Sequence, residues 1–378
     1  MTPSMDPTAG GSTRRARHVA LVLPTLGPGG AERVASSLAS CWIEAGHEVG
    51  LITISSPESD AYPLGPAVRR IALDRLKVSR NPVEGLLRAS GRVLALRRAL
   101  GELHPDVVIS FLQHTNVMTL LAMAGRRVPV FVCERSDPRQ NLMGRQWAPL
   151  RRALYPWAAG VVVQTEAVAA WARAFCPRVH VIPNFVARPS RTANPGAEEG
   201  PKTLVTLGRL ERVKGFDLLI EAFARVCGRH GDWSLRILGE GPERPRLEAL
   251  LASLHLEDRV SLPGRVPDPE RHLSAAHAFA LSSRYEGFPN ALLEAMASGL
   301  PIVAFDCPSG PAEIVVHERN GLLVKPEDVA ELAAALDRLM TSAAERRRLG
   351  QSAREIAVRL SPGAVLEKWS ALLSGESR

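Results

Sequence analysis

The sequence has no long apolar run. None of its 378 residues lies in an uninterrupted apolar segment of the about 18 residues or more that a membrane-spanning helix needs. Residues 1–17 are rich in Thr, Ser, Gly and Pro and end in RRAR, without the apolar centre of a signal peptide. We therefore predict no membrane span, and we predict that residues 1–17 form a disordered tail.

Cysteines are few and show no paired spacing. The chain has five, an odd number, and none lies in a CxxC pair. A disulfide framework or a structural zinc site would need regular cysteine spacings, so we predict neither. A pair of aspartates of the kind that coordinates a metal-bound nucleotide diphosphate is not evident, and we expect no metal and no other cofactor. A reducing compartment fits these features, and we predict a cytoplasmic protein.

Aromatic residues are scarce, and the two signs of charge are unbalanced. Only 5% of residues are aromatic, and the formal net charge is +8. Such an excess favours an anionic partner surface. Nucleic acid is one candidate, but the standard binding motifs are missing and aromatics are few, so we expect no nucleic-acid partner. An anionic membrane face is the better candidate.

The chain does contain a regular alternation of strand and helix patterns, which is typical of α/β proteins with parallel sheets. Residues 184–201 interrupt it with a stretch rich in Pro, Gly, Ser and charge, which predicts a linker between domains at 18–183 and 202–360. Strands are predicted at 18–23, 48–54, 68–73, 106–111, 128–133, 160–164, 179–182, 202–207, 235–238, 260–262, 278–281 and 302–305. Helices are predicted at 31–45, 82–103, 216–226, 327–349 and 362–373, and from Pro289 to Gly299.

One strand–loop–helix–strand unit carries two carboxylates. Residues 282–303 read SSRYEGFPNALLEAMASGLPIV. Glu286 follows a predicted buried strand, Pro289 suits the first turn of a helix, and Glu294 lies in the second turn. Carboxylates accept hydroxyl hydrogen bonds and helix starts bind anions, which suits a ligand that is part sugar and part phosphate. The spacing alone is equally consistent with two solvated glutamates at a helix entry.

Two other strand-to-helix junctions have phosphate-binding features. Residues 208–215, GRLERVKG, place Arg209 and Lys214 between two glycines, which can form a diphosphate clamp. In a plain solvated loop these cations would mean little. Gly29 and Gly30 open the first helix directly after the first strand and permit close approach of a ligand, although a simple tight turn explains them equally.

Three segments resemble the family-4 retaining glycosyltransferases of GT-B fold. They are GPGGAERV at 27–34, GRLERVKGFDLLIEAF at 208–223 and EGFPNALLEAMASGLPIVA at 286–304, in the family's order and spread over nearly the whole chain. The resemblance implies two Rossmann-like parallel-sheet domains that face each other across a donor/acceptor cleft. It also implies transfer of a sugar from a nucleotide-sugar donor to an acceptor hydroxyl, with retained anomeric configuration.

The same resemblance implies roles for individual residues. Arg209 and Lys214 would bind the donor phosphates, Glu286 the sugar hydroxyls and Glu294 the ribose. His114, at the carboxyl end of a predicted strand, matches a histidine that touches the donor sugar, although a lone histidine is more often structural or exposed. The catalytic set is then Glu286, Arg209, Lys214 and His114. Further donor contacts are predicted at Gly29, Gly30, Gly239, Arg265, Gly287, Phe288, Pro289, Asn290 and Ala291.

The acceptor side and the donor type rest on two shorter segments. Glu134 and Arg135, in ERSDP, would contact the acceptor, or they form a local ion pair. ERSDP and the CPSGP loop resemble members that use UDP-sugars, often N-acetylgalactosamine or a related hexose; the SGP at 309–311 replaces two adjacent glycines. We expect a UDP-sugar donor and a lipid-linked saccharide acceptor. The alternatives are a nucleotide-sugar epimerase of the same fold and a non-catalytic nucleotide-sugar or glycan binding protein.

Residues 144–157, GRQWAPLRRALYPW, mix bulky apolar and aromatic residues with arginines. Such a segment suits an interfacial helix on an anionic leaflet, here the inner face of the cytoplasmic membrane. The alternative is that the aromatics pack against the sheet and the arginines are solvated. The basic residues in question are Arg145, Arg151, Arg152, Arg88, Arg92, Arg97, Arg98, Arg126 and Arg127. By analogy with GT-B enzymes, residues 361–378 are expected to form a helix that returns to the first domain.

Overall fold

The computed structural model of the protein describes residues 16–75, 82–140 and 147–374. The predicted tail at 1–17 therefore lies almost wholly outside the described residues. The same is true of 144–146 in the segment proposed to be interfacial and of 375–378 in the predicted terminal helix.

The first sheet of the described chain has seven strands, in the order β3-β2-β1-β4-β5-β6-β7. They are β1 (His18–Leu23), β2 (Glu48–Thr53), β3 (Arg69–Ala72), β4 (Val107–Phe111), β5 (Val130–Cys133), β6 (Gly160–Val163) and β7 (Val179–Val181). β1 pairs in parallel with both β2 and β4. Every residue of β4 is buried, as expected for a parallel strand covered on both faces.

Helices connect these strands. They are α1 (Gly30–Glu44), α2 (Pro82–Leu103), α3 (Gln113–Met123), α4 (Ala148–Leu154) and α5 (Glu166–Arg173), with single 3₁₀ turns at Pro57–Ser59 and Tyr155–Trp157. The side chain of Thr165 caps α5 by accepting a hydrogen bond from the Val168 N–H.

The second sheet has six described strands, in the order β10-β9-β8-β11-β12-β13. They are β8 (Lys202–Leu207), β9 (Trp233–Leu238), β10 (Val260–Gly264), β11 (Ala278–Leu281), β12 (Ile302–Phe305) and β13 (Leu322–Val324). All the pairings between neighbouring strands of this sheet are parallel. The predicted α/β class with two parallel sheets is therefore confirmed.

The second sheet is packed on both faces because its side chains alternate between two cores. Phe279 and Leu281 of β11 belong to one apolar cluster, whereas Ala278 and Ala280 belong to the other. The surrounding helices are α6 (Phe216–Cys227), α7 (Arg244–Ser253), α8 (Pro269–Ser274), α9 (Asn290–Ala297), α10 (Pro311–Ile314), α11 (Val329–Thr341), α12 (Ala343–Ala353), α13 (Ile356–Arg359) and α14 (Pro362–Ser374). A fully buried phenylalanine such as Phe279 contributes about 2–3 kcal/mol of hydrophobic stabilisation.

The predicted linker at 184–201 has no helix or strand, and all of its residues are described. It is nevertheless held by the chain around it. The Val186 N–H donates to the Leu360 carbonyl at 2.9 Å. The buried Arg346 donates through Nε to the Pro195 carbonyl at 2.7 Å. The segment is thus anchored along its length and does not behave as a free tether.

By packing, the chain divides into two compact units. One comprises Met1–Cys133 with Ala153–Gly160, and the other Glu134–Arg152 with Val161–Arg378. The loop that follows β5 therefore groups with the unit that contains the second sheet. The domain bounds 18–183 and 202–360 stay a prediction.

One predicted helix differs from the structure. The single helix predicted at 327–349 is two helices, α11 and α12, separated at Ser342. The reason is a cap: the Ser342 side chain accepts a hydrogen bond from the Glu345 N–H and starts the second helix. The stretch after β4 begins α3 directly, so His114 lies in the first turn of a helix.

Candidate active site

Both sheets bring predicted site residues to the place where their strand order reverses. In an open parallel sheet, ligands bind outside the carboxyl ends of the two strands that flank this reversal. In the second sheet these strands are β8 and β11, which are neighbours. The loop after β8 carries Arg209 and Lys214, and the loop after β11 carries Glu286. The topology alone therefore places the predicted phosphate loop beside the predicted sugar-binding carboxylate.

The two loops are joined by an ion pair. Lys214 Nζ lies 2.7 Å from Glu286 Oε1, and the Ser283 hydroxyl donates to the same oxygen at 2.6 Å. The Glu286 side chain is 8% exposed and that of Lys214 is 26% exposed, so the pair is largely shielded from water yet reachable by a ligand. An ammonium group has three donors, so Lys214 can bond to a phosphate oxygen as well as to Glu286.

Arg209 is not part of this pair. Its guanidinium lies 2.7 Å from the Glu211 carboxylate, and its side chain is 66% exposed. An exposed ion pair of this kind contributes only about 0–1 kcal/mol, so a phosphate can compete for Arg209. The role of Arg209 as a phosphate ligand stays a prediction.

Glycines allow the loops of the second sheet to touch backbone to backbone. Gly239 has φ +147°, and a Cβ there would lie 1.8 Å from the Gly208 carbonyl oxygen. Gly215 has φ +61°, and a Cβ there would lie 2.0 Å from the Ser282 carbonyl oxygen. No larger residue fits at either position. Gly239 therefore has a role in loop packing, in addition to its predicted contact with the ligand.

Arg284, in the loop after β11, also holds these loops together. It donates to both oxygens of Asp217 at 2.9 Å and to the Arg212 carbonyl at 2.7 Å. Burial of Asp217 raises its pKa, but the hydrogen bonds and charge of Arg284 outweigh this and lower the pKa overall. The phosphate loop is thus held to the loop after β11 by a charged contact separate from the candidate site.

The start of α9 presents the backbone groups expected of an anion site. The N–H groups of Leu292 and Leu293 both donate to the Pro289 carbonyl. Those of Asn290 and Ala291, the two residues immediately before them, cannot find an acceptor within the helix. Phe288, next to them, is buried in the apolar cluster that also contains Phe279. The predicted contacts at residues 287–291 therefore lie on one helix entrance, with Glu294 half-buried in its second turn.

The SGP loop has two consecutive residues with positive φ angles. Ser309 has φ +64° and Gly310 has φ +119°. A Cβ at Gly310 would lie 2.9 Å from Pro289 Cδ, so this loop packs directly against the start of α9. Ser309 adopts a conformation that favours glycine. Its hydroxyl donates a hydrogen bond to Asp137 Oδ2 at 2.6 Å.

Arg265 lies apart from these groups. It is exposed and follows β10, the edge strand, whereas β8 and β11 lie at the centre of the sheet. Two strand spacings of about 4.8 Å separate β10 from β8, so a contact from Arg265 requires a ligand as long as a nucleotide. This contact stays a prediction.

The first sheet repeats the arrangement at its own reversal, between β1 and β4. Gly29 and Gly30 follow β1, and His114 follows β4, so the topology brings them to the same edge. A Cβ at Gly29 would overlap the Glu32 carboxylate, which is buried. Leu112, just before α3, has φ +70° and ψ 140°, a conformation that a leucine rarely adopts. Such strain is typical of positions where backbone geometry serves a site.

Glu134 and Arg135 each contact a different partner. Glu134 is buried and lies 3.5 Å from Arg151, whose guanidinium also stacks over the Trp171 ring at 5.3 Å. Arg135 donates instead to Asn184 Oδ1 at 3.0 Å. Each residue thus has a partner within the protein, and the predicted contact of Glu134 and Arg135 with an acceptor remains a prediction.

Arg151 also corrects the interfacial interpretation of residues 144–157. It is 2% exposed and cannot present its charge to a membrane. Tyr155 is buried and accepts a hydrogen bond from Asn116 Nδ2, whereas Trp157 is 66% exposed. The segment thus contains structural and exposed residues side by side.

Sequence reasoning missed two buried polar residues. Asp137, in ERSDP, receives hydrogen bonds from Arg139 and from Ser309. Burial raises the pKa of this carboxyl, but these bonds lower it overall, so Asp137 is anionic. Asn184, taken as the first residue of a linker, is buried and bonded on two sides. A short polar residue after a strand gave no signal of either long-range contact.

Two parallel α/β sheets, each with glycines and polar groups at its reversal point, are typical of proteins that bind ligands outside the carboxyl ends of their strands. Comparison with known proteins agrees. Residues 29–184 match the family Glycosyl transferase 4-like domain, and residues 188–356 match Glycosyl transferases group 1. Together the two matches cover most of the chain, which therefore belongs to the glycosyltransferases.

Individual relatives and structures show the same likeness. A Streptomyces coelicolor protein named exopolysaccharide phosphotransferase is 36% identical over 74% of the chain, but the chain spans only 29% of that protein. A Campylobacter jejuni alpha-1,4-N-acetyl-D-galactosaminyltransferase, whose name specifies a diphosphoundecaprenol-linked GalNAc acceptor, is 26% identical over 94% of this chain and 98% of its own. The structure of S. aureus TarM with UDP and other ligands aligns with a TM-score of 0.77, over 94% of this chain and 99% of that one, at 15% identity.

The Arg284–Asp217 contact predicts a specific pH dependence of stability. The folded-state pKa of Asp217 is depressed, so its contribution is complete above the unfolded pKa of about 3.9 and is lost as pH falls through the folded pKa. Asp217→Asn should lower the free energy of unfolding by about 2 kcal/mol at pH 7. The difference from wild type should shrink below pH 4, measured by urea denaturation across pH. Asp258→Asn, at an exposed site, is the control; a difference that is constant with pH would contradict the assignment.

Proposed function

We propose that the protein is a retaining, metal-independent hexosyltransferase that transfers a hexose or N-acetylhexosamine from a UDP-sugar to a hydroxyl of a lipid-linked saccharide, in cell-surface polysaccharide or glycan biosynthesis. The observation that carries the proposal is the Lys214–Glu286 ion pair at the strand-order reversal, beside the start of α9. It combines a cation suited to phosphate, a carboxylate suited to sugar hydroxyls and a helix amino terminus in one place.

The physical task is to break the bond between an anomeric carbon and a diphosphate. As the bond breaks, negative charge grows on the phosphate and positive charge on the sugar ring. Lys214 and the N–H groups of Asn290 and Ala291 are suited to stabilise the phosphate, with Arg209 as a further cation once it leaves Glu211. These groups supply positive charge without a metal.

The ion pair also suggests how donor binding prepares the carboxylate. A diphosphate carries more negative charge than a single carboxylate and competes for Lys214. In the donor complex, Glu286 then has oxygens to accept hydrogen bonds from sugar hydroxyls, and it lies close enough to oppose the positive charge on the ring. Glu294, one helical turn beyond Asn290, would accept from the ribose.

Retention is proposed from the resemblance. In a front-face reaction the acceptor hydroxyl attacks from the side of the departing diphosphate, and a phosphate oxygen takes its proton. The bond from carbon to acceptor oxygen forms as the bond to phosphate oxygen breaks, so no covalent enzyme intermediate is needed. His114, at the reversal point of the first sheet, would contact the donor sugar, and Glu134 and Arg135 the acceptor.

The UDP donor and the lipid-linked acceptor are supported by the relatives. TarM was solved with UDP, and the Campylobacter enzyme is named for an acceptor on diphosphoundecaprenol. The epimerase alternative requires no acceptor, and a non-catalytic binding protein would show no turnover. One assay separates the three: UDP-GalNAc, UDP-GlcNAc, UDP-glucose and UDP-galactose with undecaprenyl-diphosphate-linked saccharides, with products analysed by mass spectrometry and the new anomeric centre by NMR. An unchanged rate in EDTA is expected.

A peripheral position at the inner membrane face is supported by α2. Leu87 and Leu94 are 69% and 57% exposed, and with the exposed Arg98 they line one side of that helix. Several other arginines considered for this role are engaged elsewhere: Arg97 donates to the Ala122 and Ala124 carbonyls, Arg126 to the Arg97 carbonyl, and Arg88 to Glu84. Among the described residues, none of the helices is both long and apolar enough to cross a bilayer.

Lys214→Ala tests the phosphate clamp. Loss of one charge-assisted contact made to the leaving phosphate should lower kcat/KM by roughly a hundredfold or more, equivalent to about 2–4 kcal/mol. The measurement is the initial rate of transfer, with Lys368→Ala, an exposed lysine on α14, as matched control. Activity within a few fold of wild type would remove Lys214 from the site.

Vesicle sedimentation tests the membrane proposal. Wild-type protein should sediment with phosphatidylglycerol vesicles at low salt and less at high salt, because part of the attraction is screened. The double variant Leu87→Ser and Leu94→Ser should bind on the order of tenfold more weakly, since two apolar side chains no longer enter the interface. Val358→Ser, a change at another exposed apolar residue, should have no effect. Binding that is absent at low salt, or unchanged in the double variant, would refute the proposal.

A further inference from the structure

Asn184 connects two segments that are both assigned to the candidate site. It follows β7 and is 3% exposed. On one side its Oδ1 accepts a hydrogen bond from Arg135 Nη1 at 3.0 Å. On the other side its Nδ2 donates to Asn290 Oδ1, the first residue of α9, at 2.6 Å.

The direction of each hydrogen bond in this series is fixed by chemistry. A guanidinium group only donates, so the Asn184 atom that faces Arg135 has to be its oxygen. The other end of the Asn184 amide is then its NH₂ group, which only donates. The Asn290 atom that faces it therefore has to be an oxygen as well. The donor-only guanidinium of Arg135 thus determines the orientation of the Asn290 amide, the second amide in the series.

The consequence for Asn290 is that its NH₂ group is directed away from Asn184. Asn290 starts α9, where the backbone N–H groups of Asn290 and Ala291 are also donors. The side chain therefore adds further donors to a helix entrance that already favours oxygen-rich anions. A reversed amide would present an acceptor oxygen at the same place and would repel such a ligand.

The surroundings leave little room for this series to rearrange. A Cβ at Gly287 would lie 2.5 Å from the Arg135 carbonyl oxygen and 2.7 Å from Ser136 Cα. The backbone of the ERSDP segment therefore packs directly on the loop before α9. A second contact, from Ser309 to Asp137, joins the same segment to the neighbouring loop.

We propose that Asn184 is a positioning residue for donor recognition, which holds the Asn290 amide with its NH₂ group toward an oxygen of the nucleotide-sugar. The inference rests on the proposed function, because it needs a donor bound at the start of α9. Asn184 itself does not touch the donor; it acts through Asn290.

Asn184→Asp is the decisive variant because it keeps the shape of the side chain and reverses one hydrogen bond. The carboxylate still accepts from Arg135, now as an ion pair. Its second oxygen can only accept, so Asn290 has to rotate its amide, donate to Asp, and direct its own oxygen toward the donor. The thermal unfolding midpoint should be unchanged or raised, whereas the Kd for UDP and the KM for the UDP-sugar should rise about tenfold with little change in kcat.

A double-mutant cycle separates this effect from a general disturbance. Asn290→Ala should also raise KM about tenfold, and adding Asn184→Asp to it should cause no further loss, because the group through which Asn184 acts is gone. Asn194→Asp, at an exposed position in the same segment, is the matched control and should behave as wild type.

The outcomes distinguish the positioning role of Asn184 from the proposed function. Wild-type affinity for UDP in Asn184→Asp, or losses that multiply in the double variant, would overturn the role of Asn184 while leaving the glycosyltransferase proposal intact. Failure of the wild-type protein to bind UDP, GDP or ADP, or to use their sugar conjugates, would overturn both.

Discussion

The meeting of Lys214 and Glu286 is the interaction on which the candidate site depends. It exists because β8 and β11 are neighbours although they are distant in sequence, so the loops after them share one edge of the sheet. A cation and a carboxylate at 2.7 Å, largely shielded from water, satisfy each other in the absence of a ligand. In the proposed donor complex, the diphosphate takes the place of Glu286 beside Lys214, and sugar hydroxyls take the place of Lys214 beside Glu286.

Close backbone packing makes that contact possible. Gly239 against Gly208 and Gly215 against Ser282 bring the loops together without side chains between them. Polar contacts then fix the position of the loops: Arg284, in the loop after β11, holds the phosphate loop. The ERSDP segment packs on the loop before α9, where a Cβ at Gly287 has no space. The site is therefore built from several rigid loops that are each fixed by a neighbour, which is what preorganised binding requires.

Much of the fold and of the candidate site could be predicted from the sequence, for physical reasons. β1, β8, β11 and β12 were predicted with the bounds observed, because each apolar-rich run ends at a polar, charged, glycine or proline residue. The Ser342 break between α11 and α12 was missed because a serine within a helical pattern costs little and its capping role depends on context. Asn184 and Asp137 were missed because Arg135, Asn290 and Ser309, which bond to them, are distant in sequence, and pattern reasoning has no access to such contacts.

The positions of the loops were easier to predict from the sequence than the partners of their side chains. The strand order brings Lys214 and Glu286 close together, but it does not show that their side chains form an ion pair. The sequence had predicted a separate ligand for each, phosphate for Lys214 and sugar hydroxyls for Glu286. Likewise Arg151 was counted among surface cations, whereas burial beside Glu134 and Trp171 makes it part of the core. Charge in a sequence indicates a partner but does not say whether that partner lies inside the protein.

Calorimetric titration of UDP into wild-type protein and into Glu286→Gln tests the account most directly. If Glu286 occupies Lys214 until the diphosphate arrives, the neutral amide removes a competitor. Glu286→Gln should then bind UDP at least as tightly as wild type, while its rate of sugar transfer falls. A tenfold or greater loss of UDP affinity in Glu286→Gln, or no UDP binding by the wild-type protein, would contradict the account.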